Sequence, residues 1–419
     1  MNQVIGKCLS RGLAIGWLAC LVSIPTLRAA RPAPHHQRLR LGVDVNLFNR
    51  NLGFSRMHEV FALIHVTGAR YVRVGAGGWA KTEPQPGRYD FRATDRVIRA
   101  AQAQGLQVML EVGDSVPAWD LPAGAHTRHG WVTYAPADCT GARAQDGRQG
   151  ITDCGAFGQY IHQLAAHVKP LGVRYLIMWN EPQNYPKNWI PAHGATAAQN
   201  ARAFARLLYA AYIQAHAADP HMHILNGGTE VFPHAWLRVF TPYIRYPKLA
   251  RAQLHFIHTL YRDPEFCRGL DVLDIHVGVH GPYWSSRIVR ASELALQRCN
   301  GGHRVPVWVT ECAYSSRRSV QRTGASPIRP PLLAAMLGSG YDQGERSQAR
   351  YLLDTYRALA AMPYVVGINW TAIADPPPGP GAGLGLVGSH LQRRKPAFYA
   401  LWHWIHRRAA RLGAKRGTP

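Results

Sequence analysis

From Leu41 onward the chain alternates between short, almost continuously apolar runs and longer polar stretches whose apolar residues return at helical spacing. The apolar runs are Leu41–Leu47, Tyr71–Gly75, Gln107–Val112, Tyr175–Trp179, His223–Gly227, Val272–His276, Val305–Thr310 and Val365–Trp370. A parallel strand is covered by helices on both faces, so it needs apolar residues in both phases of its two-residue repeat. Between the runs, Ser55–Val66 gathers Val60, Phe61 and Ile64 on one side, and Thr94–Gln104 does the same with Val97, Ile98 and Ala101. Phe157–Val168, Ala197–Ala217, Glu345–Ala361 and Ala397–Arg411 repeat this amphipathic pattern. Eight strand signals separated mostly by helices predict an α/β fold, a single (β/α)8 TIM barrel over residues 39–412, rather than an open doubly wound sheet. No G-x-G-x-x-G follows the first strand, which removes the simplest dinucleotide-binding alternative. The Pro- and Gly-rich stretch Asp375–Gly385 follows the eighth strand and reads as a loop at the barrel rim.

Composition agrees with one large core: 47% of residues are apolar and only 17% charged. Residues 1–30 fall outside the barrel pattern. Lys7 and Arg11 precede an apolar stretch, Leu13–Leu27, and then Ala29 and Ala30, which is the order of an export signal. That stretch is shorter than the ~20 apolar residues of a membrane span. The expectation is therefore an exported protein, periplasmic or extracellular, with an uncleaved N-terminal anchor as the alternative. The cysteines fit an oxidising compartment. Cys139 and Cys154 bracket a loop rich in Gly and Arg, Cys267 and Cys299 form a second candidate disulfide, and Cys312 lies in an apolar strand as a buried free thiol. The absence of any C-x-x-C argues against structural zinc.

The net charge of +24 would attract nucleic acid, anionic membranes or acidic polysaccharide. Lys and Arg are dispersed, however, and no nucleic-acid-binding motif accompanies them, so no nucleic-acid partner is expected. The densest basic run, Arg407–Arg416, leads into a basic C-terminal tail at residues 413–419. Charge and export together suggest a monomer that associates with an acidic polysaccharide matrix, while the Arg preference of a high-GC genome would account for the charge equally well.

In a (β/α)8 barrel the active site lies at the C-terminal ends of the strands. Strand four ends in Asn180-Glu181-Pro182, and strand seven ends in Thr310-Glu311-Cys312. Either glutamate alone would as readily be an ion-pair partner. Two carboxyls delivered to the same rim are what glycosidic cleavage requires, one to protonate the leaving oxygen and one to attack the anomeric carbon. Arg73, near the end of strand two, is placed to hold Glu311 charged, which a plain interior ion pair would also do. Trp79, the segment Glu83-Pro84-Gln85-Pro86-Gly87-Arg88-Tyr89-Asp90-Phe91, Trp370 and Lys395-Pro396-Ala397-Phe398-Tyr399 complete the pattern.

These residues, spread over nearly the whole chain beyond the leader, resemble the clan of retaining (β/α)8 glycoside hydrolases with catalytic glutamates on strands four and seven. The chain is most similar to glycoside hydrolase family 39 and to exopolysaccharide-cleaving endoglycosidases of biofilm-forming bacteria. The resemblance implies Glu181 as acid/base, Glu311 as nucleophile, Asn180 on the sugar 2-hydroxyl and Trp370 stacked beneath the sugar, with a core indole as the bland reading of Trp370. Trp119 and Trp189 are candidates for further subsites or for plain loop packing. One departure stands out. Clan members often carry His-x-Tyr on strand six, whereas this chain has His276-Val277-Gly278, with Tyr283 as a displaced substitute. No cofactor is implied, and no catalytic metal is expected, since H-E-x-x-H is absent. The implied activity is an endo-acting β-glycosidase on a polysaccharide. An exo-acting β-xylosidase or cellulase-like hydrolase and a non-catalytic carbohydrate-binding barrel are the alternatives.

Overall fold

The structure, a computed structural model, describes residues 39–45, 54–75, 78–113, 115–125, 133–184, 188–190, 194–233, 247–278, 281–317, 344–375 and 383–414. The expected export signal, Asn46 and Leu47 of the first strand candidate and residues 415–419 of the basic tail lie outside them. Strands β1 (Arg40–Val45), β2 (Tyr71–Gly75), β3 (Gln107–Val112), β4 (Tyr175–Met178), β5 (His223–Leu225), β6 (Leu273–Gly278), β7 (Val307–Cys312) and β8 (Val365–Thr371) fall on the eight apolar runs. They form one sheet in the order β5-β4-β3-β2-β1-β8-β7-β6, with every neighbouring pair parallel. A parallel bridge from Leu225 to Val272 joins the two ends and rounds the sheet into a barrel.

Each strand is followed by a long helix. These are α1 (Met57–Thr67), α2 (Arg92–Ala103), α3 (Gly155–Val168), α4 (Ala197–Ala218), α5 (Pro247–Leu260), α6 (Pro282–Cys299), α7 (Glu345–Ala360) and α8 (Pro396–Ala414). Helices α5 and α6 were not anticipated; in α6 the polar Ser285, Ser292 and Glu293 lie on the buried face with Ile288, Val289 and Leu296, which blurs its apolar spacing. Where sequence signals are strong, boundaries match. Thr196 and Gln199 form a reciprocal capping box, with Thr196 N–H donating to Gln199 Oε1 at 2.8 Å, and α4 starts at the next residue. Helix α8 runs through residue 414.

Inside the barrel, the two-residue repeat stacks two layers of different chemistry. The lower layer is apolar: Met109, Tyr175, Ile177, Leu225, Val272, Trp308 and Val366 pack together. Two residues further along their strands, Arg73, Glu111 and Asp274 point into the same interior one layer higher, towards the C-terminal mouth. The outer core, between sheet and helices, holds the larger apolar cluster.

Both anticipated disulfides are present, Cys139–Cys154 with Cα atoms 4.4 Å apart and Cys267–Cys299 at 5.9 Å, and Cys312 is a buried free thiol. Among the described residues no helix is long and apolar enough to cross a membrane. Cys267–Cys299 closes the longer loop, with a sequence separation of 32, and pins the short helix Pro264–Arg268 to the end of α6. Cys267→Ser with Cys299→Ser should therefore lower the unfolding free energy by about 2–4 kcal/mol in urea titrations under non-reducing conditions. A loss below about 0.5 kcal/mol would show that the loop is already ordered in the unfolded chain.

Candidate active site

The C-terminal end of β4 departs from regular strand geometry at once. Trp179 and Glu181 both take positive φ, 68° and 45°, a region that costs side-chain-bearing residues energy. Neighbours hold them there. Trp179 N–H donates to Val112 O at 2.7 Å, its indole N–H donates to Asn188 O at 2.6 Å, and Glu181 N–H donates to Gly227 O at 2.7 Å. The alternation is broken in this way, and Asn180 and Glu181 both serve the interior.

A second irregularity does the same on β7. Ile275 pairs with Val309, but His276 already pairs with Glu311, which leaves Thr310 as the extra residue of a bulge. Consecutive side chains Thr310 and Glu311 therefore both reach the site. In an unbulged strand one of them would face the helices.

Arg73 lies under the mouth, its side chain only 1% exposed. Nη1 donates to Asp44 Oδ2 at 2.8 Å and to Glu311 Oε1, while Nη2 donates to Asn180 Oδ1 at 2.6 Å and meets Glu111 Oε2 at 2.5 Å. The carboxyls above it are partly open, at 15% for Asp44, 13% for Glu111, 23% for Glu311 and 27% for Glu181. Burial works to raise Glu311, but the nearby His276 and Arg73 cations outweigh it and hold its carboxyl below the usual range. With its oxygen spent on Arg73, Asn180 is left with its amide N–H2 as the group free to donate.

His276, 3% exposed, bridges the two glutamates. Nδ1 lies 3.0 Å from Glu181 Oε1 and 3.6 Å from Glu311 Oε1, and Nε2 lies 3.1 Å from Thr310 Oγ1. Thr310 gives its single proton to Asp274, so it must accept from Nε2–H, and Nδ1 faces only carboxylate oxygens. With Glu181 and Glu311 both ionised, both ring nitrogens are donors and the ring is an imidazolium. Burial opposes that charge, but Glu311 and the bond to Glu181 prevail and lift His276 to about 10. The imidazole fits because position 228 is glycine: a Cβ there would sit 2.2 Å from Nε2, at a φ of +77°. Glu181, His276 and Glu311 bring ligand atoms within 4.8 Å of one another, a spacing that suits a cation, yet a doubly donating His276 has no lone pair to offer one.

Several of the anticipated residues meet here: Glu181, Glu311, Arg73, Asn180 and His276. Three others are corrected. Trp370 and Trp189 are fully buried core residues, not sugar platforms; the Trp370 indole N–H donates to Leu384 O at 3.0 Å, and Trp189 packs edge-on against Trp179 and Phe204. Tyr283 is 58% exposed on the first turn of α6, its ring under the Arg287 guanidinium at 4.4 Å, and among the described residues it makes no hydrogen bond to Glu311. Asp44 instead shares Arg73 Nη1 with that glutamate. Trp119 is half-buried, with its indole N–H donating to Glu83 O at 3.2 Å and Arg148 over its ring. The Glu83–Phe91 segment is structural: buried Glu83 accepts from the Trp79 indole at 2.7 Å and from Gly87 N–H at 2.8 Å.

Sequence reasoning passed over Asp44, Glu111, Asp274 and Glu230. The first three had a readable signal, a lone acid within an apolar strand, where an unpaired charge is too costly to bury. Glu230 follows β5. Burial first, and then the charge of Glu181, push its carboxyl well above the usual range, and Gln183 Nε2 donates to its Oε2 at 3.3 Å.

Residues 53–209 match the glycoside hydrolase family 42 pattern, described as beta-galactosidase, a span that includes Arg73, Asn180 and Glu181. In fold the chain is similar to a family 39 glycoside hydrolase from the gut symbiont Bacteroides cellulosilyticus WH2, with a TM-score of 0.57 and 16% identity over 87% of this chain and 62% of that one. It is also similar to an exo-beta-1,4-mannosidase from Opitutaceae bacterium strain TAV5 (TM-score 0.54, 16% identity, 89% of this chain and 60% of that one). A third is a monomeric beta-xylosidase from Caulobacter crescentus CB15 (0.54, 17%, 87% and 67%). The chain thus spans about three fifths of the length of the first two. The partial family match, joined to a parallel eight-stranded barrel with glutamates ending β4 and β7, makes the chain similar to glycoside hydrolases of the (β/α)8 clan.

Proposed function

We propose that the protein is a retaining β-glycosidase that cleaves internal bonds of a polysaccharide outside the cytoplasm by double displacement. One observation supports the stereochemistry: ligand atoms of Glu181, His276 and Glu311 all lie within 4.8 Å of one another, so the two carboxyls come close together. Retaining enzymes hold their carboxyls at about 5–5.5 Å, whereas inverting ones leave about 6.5–9.5 Å for a water. Glu311, held anionic by Arg73 and His276, attacks the anomeric carbon while Glu181 protonates the leaving oxygen. Glu181 then takes a proton from the water that releases the sugar. The Asn180 amide donates to the 2-hydroxyl, and Trp119 lines an outer subsite.

The open mouth, with both glutamates about a quarter exposed, supports a cleft that a chain can cross. The two disulfides support action in an oxidising compartment. The charge of +24 supports loose association of a monomer with an acidic matrix, an attraction that added salt screens.

Glu311→Gln is expected to lower turnover by about 10^4-fold or more while binding persists, since the covalent step is lost. Glu181→Ala should spare activated aryl glycosides and depress poor leaving groups by roughly 10²–10⁴-fold. Proton NMR of the first-formed product should show the anomeric configuration kept; an inverted product would refute double displacement. Mass spectrometry of digests of bacterial exopolysaccharides and plant glycans should give a ladder of oligosaccharides, and release of monosaccharide alone would mean exo action. Retention on anionic polysaccharide should fall as salt rises from about 0.05 to 0.5 M; retention that ignores salt would remove the matrix reading.

A further inference from the structure

A carboxyl group has two oxygens, and an acid/base residue works best when the same one gives and takes the proton in every cycle. We propose that Asn184, three residues beyond Glu181, is a positioning residue that makes Glu181 Oε2 the oxygen of proton exchange. This rests on the reading of Glu181 as acid/base.

The two oxygens keep different company. Oε1 lies 3.0 Å from Nδ1 of His276, and Glu311 Oε1, 3.6 Å from the same nitrogen, holds a proton on that nitrogen when Glu181 is the acid. A proton arriving on Glu181 Oε1 would therefore meet a cationic donor already bonded there. Oε2 instead accepts from a neutral donor, Asn184 Nδ2, at 2.5 Å. A cationic donor opposes a second proton on its acceptor more strongly than a neutral one does, so the proton belongs on Oε2. The amide also aims it. A carboxyl oxygen offers two lone-pair directions, and the Asn184 N–H fills one of them, which leaves the other for the proton.

The backbone places this amide without help from its own side chain. Asn184 N–H donates to Glu181 O at 2.9 Å, Asn188 N–H donates to Asn184 O at 3.0 Å, and the Trp179 indole closes the turn on Asn188 O at 2.6 Å. The Asn184 side chain is half-buried, and among the described residues its one hydrogen bond is to Glu181. Truncating it removes that bond while the loop keeps its main-chain bonds. In the first step the Oε2 proton passes to the leaving oxygen, whose bond to the anomeric carbon breaks as Glu311 forms its own. In the second, a water gives Oε2 a proton as its oxygen displaces Glu311.

The test compares two leaving groups, 2,4-dinitrophenol and phenol, on β-glycosides of xylose, glucose, galactose and mannose and of their disaccharides. Dinitrophenolate departs without protonation, so kcat/KM for those substrates should change by less than about threefold in Asn184→Ala. With phenol leaving it should fall about 10-fold or more, the cost of one hydrogen bond to a charged group. Asn184→Asp keeps the shape but not the N–H donor and should fall at least as far. In a Glu181→Ala background, Asn184→Ala should have no further effect. Equal losses with both leaving groups, wild-type activity in Asn184→Asp, or an undiminished effect in the Glu181→Ala background would overturn the proposal. The Glu181→Ala enzyme separates the two failures. If it shows the leaving-group split and Asn184→Ala does not, the positioning role falls alone; if it shows none, the acid/base reading falls with it.

A readout without turnover checks the bond itself. Asn184→Ala should lower the Tm of the full chain by about 2 °C or more, and this effect should vanish in the Glu181→Ala background. Equal shifts in the two backgrounds would show that Asn184 does not hold Glu181, whether or not any glycoside is cleaved.

Discussion

The guanidinium of Arg73 is the point on which the site depends. Sealed under the mouth, it serves carboxyls from β1, β3 and β7 and the amide after β4. A charge taken this far from water is stable only with close partners, and the partners in turn could not crowd together without it. Its removal would leave Asp44, Glu111 and Glu311 facing one another across the barrel with no cation among them except His276. The residue that keeps the proposed nucleophile ionised therefore also holds the upper layer of the barrel together. Stability and reactivity are coupled at this one side chain, and substitutions there will not separate them.

The second dependence is on irregular backbone. A regular strand offers the interior every other residue, yet this site uses Asn180 with Glu181 and Thr310 with Glu311. The positive φ values around Asn180 and the bulge at Thr310 supply those pairs. Gly227 and Gly228 make the arrangement possible from the β5 side. A Cβ on the former would lie 2.4 Å from Met178 O, and one on the latter would occupy the His276 ring. His276 is then free to lie between the glutamates with Thr310 and Asp274 behind it, so the imidazolium is fixed at both ends.

Charge is distributed against the overall trend. The chain has 48 Lys and Arg against 24 Asp and Glu, yet Asp44, Glu111, Glu181, Glu230, Asp274 and Glu311 all gather in or beside the mouth. Long-range attraction and local chemistry are therefore carried by opposite signs in different places.

The apolar runs by themselves determined the eight strands, because a strand buried on both faces must be apolar in both phases, and that requirement shows directly in the residues. They also determined the rim to which Glu181 and Glu311 belong, since strand ends are visible where apolar residues stop. Asp44 and Glu111 were equally present in those runs, but a lone acid in a strand does not declare its partner; only the pairing and register of β1, β2 and β3 brought them onto Arg73. Trp370 showed the opposite error: its place at the end of β8 suggested a platform, and packing against Tyr351 and Leu384 buried it. Tyr283 likewise was close to β6 in sequence, but the start of α6 carries it to the surface. Sequence order fixes which strand a residue ends, whereas which groups touch across the mouth is decided by the curvature, bulges and register of the closed sheet.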